Sequence, residues 1–384
     1  MGAGIAQVAA VGGHAVLLAD AQPAATARAR ASIEKVMQRD VEKGRRTRED
    51  ADAVLQRLTY IDGVDETRLA PFADCGFVIE AIVEQLTAKQ ALFATLENIV
   101  PEATILASNT SSLSIAALGG ACRHPWRVVG VHFFNPAPLM PLVEIIPAIS
   151  TAPEIVLAAT SLMQSWGKTT VAAKDVPGFI VNRVARSFYG ESLRIVEEGI
   201  ADVATVDWAM TALGGFRMGP FTLMDLIGND VNSAVSRTVY ENTFHDARYR
   251  PSVLQQRYAE AGWLGRKSGR GFYGYGEGSD QPAPTEDPVL GQVIVRRVLA
   301  MLINEAVDAV DMQFASVHDI EVAMTTGVNY PKGLLAWGDE IGPANVLAEI
   351  ERLQREYSDP RYRPSRRLRA IVERGGSLLD PTRT

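Results

Sequence analysis

From Asn182 to Gly228 the chain is written a second time, 114 positions later. Asn182-Arg183-Val184 falls on Arg296-Arg297-Val298, Glu191 on Glu305, Ala209-Met210 on Ala323-Met324, and Asp225 to Gly228 on Asp339 to Gly342, without a gap. The tetrad Arg248-Tyr249-Arg250-Pro251 recurs as Arg361-Tyr362-Arg363-Pro364, one residue out of phase. A repeat of this length is a duplicated domain, not a solenoid unit. Both copies carry helical patterning, and residues 275–288, rich in Gly, Pro and acids, read as a linker between them.

The half before the repeat alternates strand and helix, the pattern of a parallel sheet covered by helices. Gly4 to Val11 reads as a short apolar helix, Gly12-Gly13-His14 as a turn, and Ala15 to Ala19 as a buried strand ending in Asp20. This is the second half of a dinucleotide-binding βαβ unit. An acidic residue at that strand end accepts hydrogen bonds from the adenosine ribose and selects NAD, and no arginine follows Asp20 to take a 2′-phosphate. Gly2 stands as the last glycine of the phosphate-binding fingerprint, so the first strand and the earlier glycines are expected to be missing.

Polar helices over Thr26–Arg57 carry nine Lys/Arg against six Asp/Glu. That is a solvated face, or a seat for the phosphates of an anionic carrier such as coenzyme A. Next come a strand from Phe77 that Glu84 ends, an amphipathic helix over Gln85–Val100 with Lys89 on its first turns, and a strand Thr104–Ala107. The hydroxyl and amide cluster Ser108 to Ser112 follows it, a turn and helix cap or a set of donors for a substrate oxygen.

Val128-Val129-Gly130-Val131 is a fully apolar strand that ends in His132. Asn135-Pro136 and Pro138 break the structure after it, and Glu144 lies in the next apolar run. Ligands of open parallel sheets bind beyond the carboxyl ends of the strands, and a buried carboxylate needs a partner. Two readings stand here. In one, Glu144 fixes the tautomer of His132, whose other nitrogen serves as general base; in the other, a satisfied core histidine and an unrelated glutamate lie near each other by chance.

The net charge of −7 argues against nucleic acid as the main partner. The uncharged first nineteen residues lack the basic start of a signal peptide, and their glycines with Gln7 and His14 are poor in a lipid helix, so no membrane association is expected. Cys75 and Cys122 form no disulfide framework and no metal-ligand spacing, which fits the cytoplasm and a chain without a metal site.

In order, GAGIAQVAA, VIEAIVE, ASNTSSLSI, HFFNPAPLMPLVE, KDVPGFIVNR and GWLGRKSGRGFYGY resemble the L-3-hydroxyacyl-CoA dehydrogenase family over essentially the whole chain. The duplicated end resembles its long bacterial form, including the 3-hydroxybutyryl-CoA and 3-hydroxyadipyl-CoA dehydrogenases of phenylacetate-type degradation. The resemblance implies an α/β Rossmann-type NAD-binding domain over residues 1–176, N-terminally truncated, then two all-α domains over 177–280 and 289–384. It implies NAD-dependent oxidation of a (3S)-3-hydroxyacyl-CoA, with His132 as base and Glu144 as its partner. Ser111 and Asn182 then bond the reacting oxygen or the imidazole, while Gly2, Asp20, Glu84, Lys89 and Asn109 line the NAD and substrate cleft. A homodimer through the helical domains is implied as well.

Two departures qualify these implications. Arg296 replaces Asn182 in the second copy, which also ends without a counterpart to GRKSGRGFY, so that copy is expected to be structural. The missing first strand opens an alternative: a truncated, catalytically impaired relative that only binds acyl-CoA or a protein partner.

Overall fold

The computed structural model describes residues 1–279 and 281–381. Asp280, within the expected linker, and residues 382–384, at the end of the expected last domain, lie outside them. The chain divides into two compact units, Met1–Asp175 and Val176–Thr384.

The first unit runs α1 (Gly2–Val11), β1 (Val16–Asp20), α2 (Pro23–Glu42), α3 (Arg48–Gln56), β2 (Leu58–Asp62), α4 (Glu66–Leu69), β3 (Phe77–Glu80), α5 (Leu86–Ile99), β4 (Ile105–Ser108), α6 (Ile115–Gly119), β5 (Val128–Phe133), β6 (Leu142–Pro147), α7 (Pro153–Ser165) and β7 (Thr169–Ala172). Local chemistry sets several starts. Thr47 caps α3 by accepting from Asp50 N at 3.0 Å, and prolines occupy the first turns of α2 and α7, where a missing N–H costs nothing.

β3 to β7 form one sheet in sequential order, parallel except for the antiparallel pair β5–β6. β1 and β2 pair in parallel as a separate sheet. Among the described residues no ladder joins β1 to β3. The first turn of α1 lies between them: a Cβ on Gly2 would stand 3.8 Å from Leu18 on β1 and 4.0 Å from Ala81 just past β3.

The core gathers Ile105, Val129, Val131, Phe133, Val143 and Ile145 of the sheet against Ile155, Ala159 and Met163 of α7. Each fully buried aliphatic side chain contributes about 1.5–3 kcal/mol. Gly130 lets α6 approach, because a Cβ there would lie 2.9 Å from both Ile115 and Ile146.

One strand went unread in the sequence, and one expectation needs correction. Leu58–Asp62 is a strand that the polar surroundings concealed; its register puts Tyr60 opposite Leu18, under the guanidinium of Arg30 at 4.6 Å. The strand from Phe77 ends at Glu80, not Glu84, because the Glu80 carboxylate accepts Ile82 N at 2.6 Å and turns the chain.

The second unit contains α8 (Val181–Val184), α9 (Arg186–Glu197), α10 (Val203–Trp208), α11 (Pro220–Ile227), α12 (Asn229–Asn242), α13 (Val253–Glu260), α14 (Pro288–Asp311), α15 (Val317–Val322), α16 (Leu334–Ile341), α17 (Pro343–Tyr357) and α18 (Arg366–Arg374). The repeat is visible element by element: α10 and α15, the π-turns Ala209–Leu213 and Ala323–Gly327, and α11 and α16 each differ by the sequence offset. The joint after α11 turns at Gly228 with φ 105°, and the one after α16 at Gly342 with φ 91°, conformations that favour glycine in both copies.

The second copy ties down its C-terminal segment without a counterpart to GRKSGRGFY. Asp225 accepts from Phe272 N at 3.0 Å and Tyr273 N at 2.9 Å; Asp339, its counterpart, accepts from Leu378 N at 2.7 Å and Leu379 N at 3.4 Å. A shorter sequence thus meets the same carboxylate, which no motif match reveals. Among the described residues no helix is long and apolar enough to cross a membrane.

Candidate active site

Antiparallel pairing of β5 with β6 makes His132 and Glu144 direct cross-strand partners. Such pairs bring their Cβ atoms to about 4.5–5.5 Å, close enough for short contacts. The imidazole Nδ1 lies 2.6 Å from Glu144 Oε2. Glu144 is fully buried and His132 nearly so, with the Phe134 ring 4.6 Å from the imidazole. A carboxylate in this position favours the tautomer that carries its proton on Nδ1.

The turn joining the two strands is held from below. Lys168, buried just before β7, donates to Ala137 O at 2.5 Å and Met140 O at 2.9 Å. Burial lowers its pKa. Nothing beyond an isolated lysine after Gly167 marked this residue in the sequence.

At the neighbouring strand ends, Asn109 Oδ1 accepts from Phe133 N at 2.8 Å and thereby fixes the residue after His132. Glu84 gathers the hydroxyl cluster: its Oε1 accepts from Thr110 Oγ1 at 2.5 Å, Ser111 N at 2.9 Å and Ser112 Oγ at 3.0 Å. Burial pushes the Glu84 carboxyl up, but the Thr110 hydroxyl, the Lys89 charge and Ser111 N outweigh it and hold its pKa below the usual value. Lys89 does not project outward; it is buried between Glu80 at 2.7 Å and Glu84 at 3.1 Å. Glu80 went unremarked in the sequence, where it lies inside the strand expected to run to Glu84.

Asp20 ends β1 and accepts from Gln22 N at 2.8 Å. α1 starts at Gly2 with no side chain capping its first N–H groups, the arrangement that receives a phosphate. A Cβ on Gly4 would stand 3.2 Å from Pro138 and 3.4 Å from Ala137, so this helix start lies against the turn that follows His132. An acceptor for ribose hydroxyls and a helix end for a pyrophosphate are the donor and acceptor set a dinucleotide needs. Asn182 lies in α8, in the second unit. The remaining histidines are engaged elsewhere: His14 packs on Trp166 at 5.8 Å, His124 Nδ1 lies 3.5 Å from Glu102, and His245 packs on Tyr240 at 5.0 Å, while His318 is on α15. No cluster able to hold a metal ion occurs among the described residues.

Comparison with known proteins finds matches for both units. Residues 1–176 match the NAD binding domain of 3-hydroxyacyl-CoA dehydrogenase, and residues 178–275 and 293–377 match its C-terminal domain. The chain is 36% identical to a 3-hydroxyadipyl-CoA dehydrogenase of Escherichia coli K12, over 98% of this chain and 96% of that one. It is 42% identical to a probable 3-hydroxybutyryl-CoA dehydrogenase of Bacillus subtilis, over 72% of this chain and 94% of the relative. The crystal structure of an Escherichia coli K12 3-hydroxybutyryl-CoA dehydrogenase superposes with a TM-score of 0.91 at 35% identity, covering 98% and 97% of the two chains.

Proposed function

The chain belongs to the 3-hydroxyacyl-CoA dehydrogenase family and catalyses NAD-dependent oxidation of a 3-hydroxyacyl-CoA; from that premise we propose that His132 is its general base and Glu144 the carboxylate that orients it. One observation carries the assignment: the 2.6 Å contact between Nδ1 and Oε2 across a registered strand pair.

Oxidising a secondary alcohol removes a hydroxyl proton and a hydride from carbon. When bound, NAD supplies the hydride acceptor. The chain's task is the proton. With Nδ1 held by Glu144, Nε2 takes the hydroxyl proton, and Glu144 stabilises the resulting imidazolium; in the reverse direction the imidazolium returns it. A positioned base of this kind contributes about a hundred- to ten-thousand-fold.

Ser111 and Asn182 bond the reacting oxygen or the imidazole. Gly2 and Asp20 hold the cofactor's pyrophosphate and ribose, Glu84 lines the same cleft with the buried Lys89 held against it, and Asn109 acts by holding Phe133 N. The second helical copy, with Arg296 in place of Asn182, builds no second site. Two free cysteines, Cys75 and Cys122, suit the cytoplasm. A homodimer through the helical domains uses surface other than the face of α9, which α14 of the same chain covers.

The alternative of an impaired, binding-only relative finds no support, because the His–Glu pair is complete and relatives over nearly the full chain are named as dehydrogenases. The test is NADH formation from a (3S)-3-hydroxyacyl-CoA by the wild-type chain and by His132→Ala. Loss of turnover with NADH affinity kept is expected; undiminished turnover by His132→Ala overturns the assignment.

A further inference from the structure

Glu80 is a buried charge that the proposed reaction does not use. Its side chain is 0% exposed, yet three donors converge on it: Lys89 Nζ at 2.7 Å and Ile82 N at 2.6 Å on Oε1, and Ser108 Oγ at 2.6 Å on Oε2. Its main-chain carbonyl also accepts Asn109 N at 2.8 Å. A buried carboxylate with full partners is expensive to place and costlier still to break. The bond to Ile82 N uses part of Oε1 only, so the donors Lys89 and Ser108 need their own explanation.

The contacts close into a circuit. From Glu80 the path runs through Lys89 to Glu84 at 3.1 Å, from Glu84 to Thr110 Oγ1 at 2.5 Å, from Thr110 N to Ser108 Oγ at 3.2 Å, and from Ser108 back to Glu80. This circuit ties the end of β3 to the Ser108–Ser112 segment. The members differ in access. Glu84 is 38% exposed, whereas Lys89 and Glu80 are sealed at 1% and 0%. Glu84 is therefore the carboxylate that can reach a ligand, and Glu80 acts only through others.

Charge decides how. One ammonium faces two carboxylates, so the group carries a net negative charge. Lys89 also donates weakly to Ile82 O at 3.4 Å, and its stronger bond is to Glu80. While Glu80 holds Lys89, Glu84 keeps acceptor capacity toward the cleft. Without the Glu80 charge, Lys89 would be left to Glu84, neutralising it and drawing it inward.

We propose that Glu80 is a positioning residue for NAD: it holds Lys89 and Ser108 so that Glu84 and the Ser111 segment keep the geometry that receives the cofactor. This rests on the cleft assignment above. The experiment measures NADH affinity by fluorescence titration, without turnover, for Glu80→Gln, Lys89→Met and the double variant, with kcat and the KM for NAD read alongside. Glu80→Gln keeps the shape and removes the charge. It is expected to raise the NADH Kd about tenfold, and the KM for NAD with it, while kcat at saturating NAD falls less; the double variant should bind no worse than Lys89→Met, because neighbours in one network are non-additive.

An unchanged NADH Kd in Glu80→Gln, or losses that multiply in the double variant, overturns the proposal. Should Glu80→Gln fail to fold, Ser108→Ala carries the test: a Kd raised about threefold supports the role, and an unchanged Kd overturns it. Wild-type protein that binds NADH while His132→Ala retains turnover refutes the catalytic assignment and leaves this one standing. Wild-type protein that binds no NADH overturns both.

Discussion

Arg183 and Glu305 lie 122 positions apart and meet through Nε and Oε1 at 3.0 Å; their repeat counterparts, Arg297 and Glu191, meet at the same 3.0 Å with donor and acceptor copies exchanged. The reciprocity extends outward. Arg248 and Tyr249 reach Glu305, and Arg361 and Tyr362 reach Glu191. Residue i on one copy contacts j on the other and the reverse, the signature of an isologous twofold interface, here formed within one chain. Arg297→Met removes the cation on which Glu191 and Glu198 converge. Breaking one side of a buried pair costs about 3–5 kcal/mol, so urea unfolding of this variant should show a loss in that range. A loss below about 0.5 kcal/mol, the size of a surface change, would contradict the seam.

Much of this architecture was legible beforehand because it rests on period and register. The repeat, the apolar run Val128–Val131 and the glycine joints at Gly228 and Gly342 express local rules. His132 and Glu144 were legible as a pair because twelve residues and a proline turn allow an antiparallel return. What escaped was long-range. Leu58–Asp62 drew no reading in the sequence, and only its pairing with β1 makes it a strand. Lys89 reads as an exposed helix lysine until two carboxylates, one of them on the preceding strand, bury it. Asp339 finds Leu378 with no motif to announce it, since the contact uses main-chain N–H groups that any residue supplies.

Glu84 makes the cleft sensitive to acid. Its folded pKa lies below the usual value for the reasons given above, while in the unfolded chain it returns to about 4.3. Its contribution is therefore fully present above the unfolded value and lost as pH falls through the folded one. Hydrogen exchange at Ser111 N should stay protected at neutral pH and lose protection only as pH falls below the unfolded value. Thr110→Val removes one stabilising donor and should move that loss to higher pH; an unmoved midpoint would show that Thr110 does not hold the carboxylate.

Lys168 supports the turn that closes the His–Glu hairpin. Two main-chain carbonyls, of Ala137 and Met140, accept from it in a buried place. Lys168→Met leaves both without this donor, at about 1–3 kcal/mol each where no water enters. The expected result is lower thermal stability and a kcat reduced more than the KM for NAD, since the turn follows His132. Lys168→Arg, which can still donate, should recover part of both. Equal stability and turnover in Lys168→Met would mean that the turn holds itself.

Glu144 is best tested by a change that keeps its shape. In Glu144→Gln the amide occupies the same buried space opposite His132, but it can present an N–H to Nδ1. That contact favours the tautomer whose proton sits on Nε2, the nitrogen that must accept the substrate's hydroxyl proton. The base is then present and wrongly protonated. Turnover should fall by about a hundred- to ten-thousand-fold, with NADH affinity within about threefold of wild type, because the pair is assigned to the proton and not to cofactor binding. Retention of more than about half the wild-type kcat would remove Glu144 from the mechanism. A matching loss in Glu144→Ala, where neither charge nor amide remains, would show that the carboxylate's hold on Nδ1 is what the reaction requires.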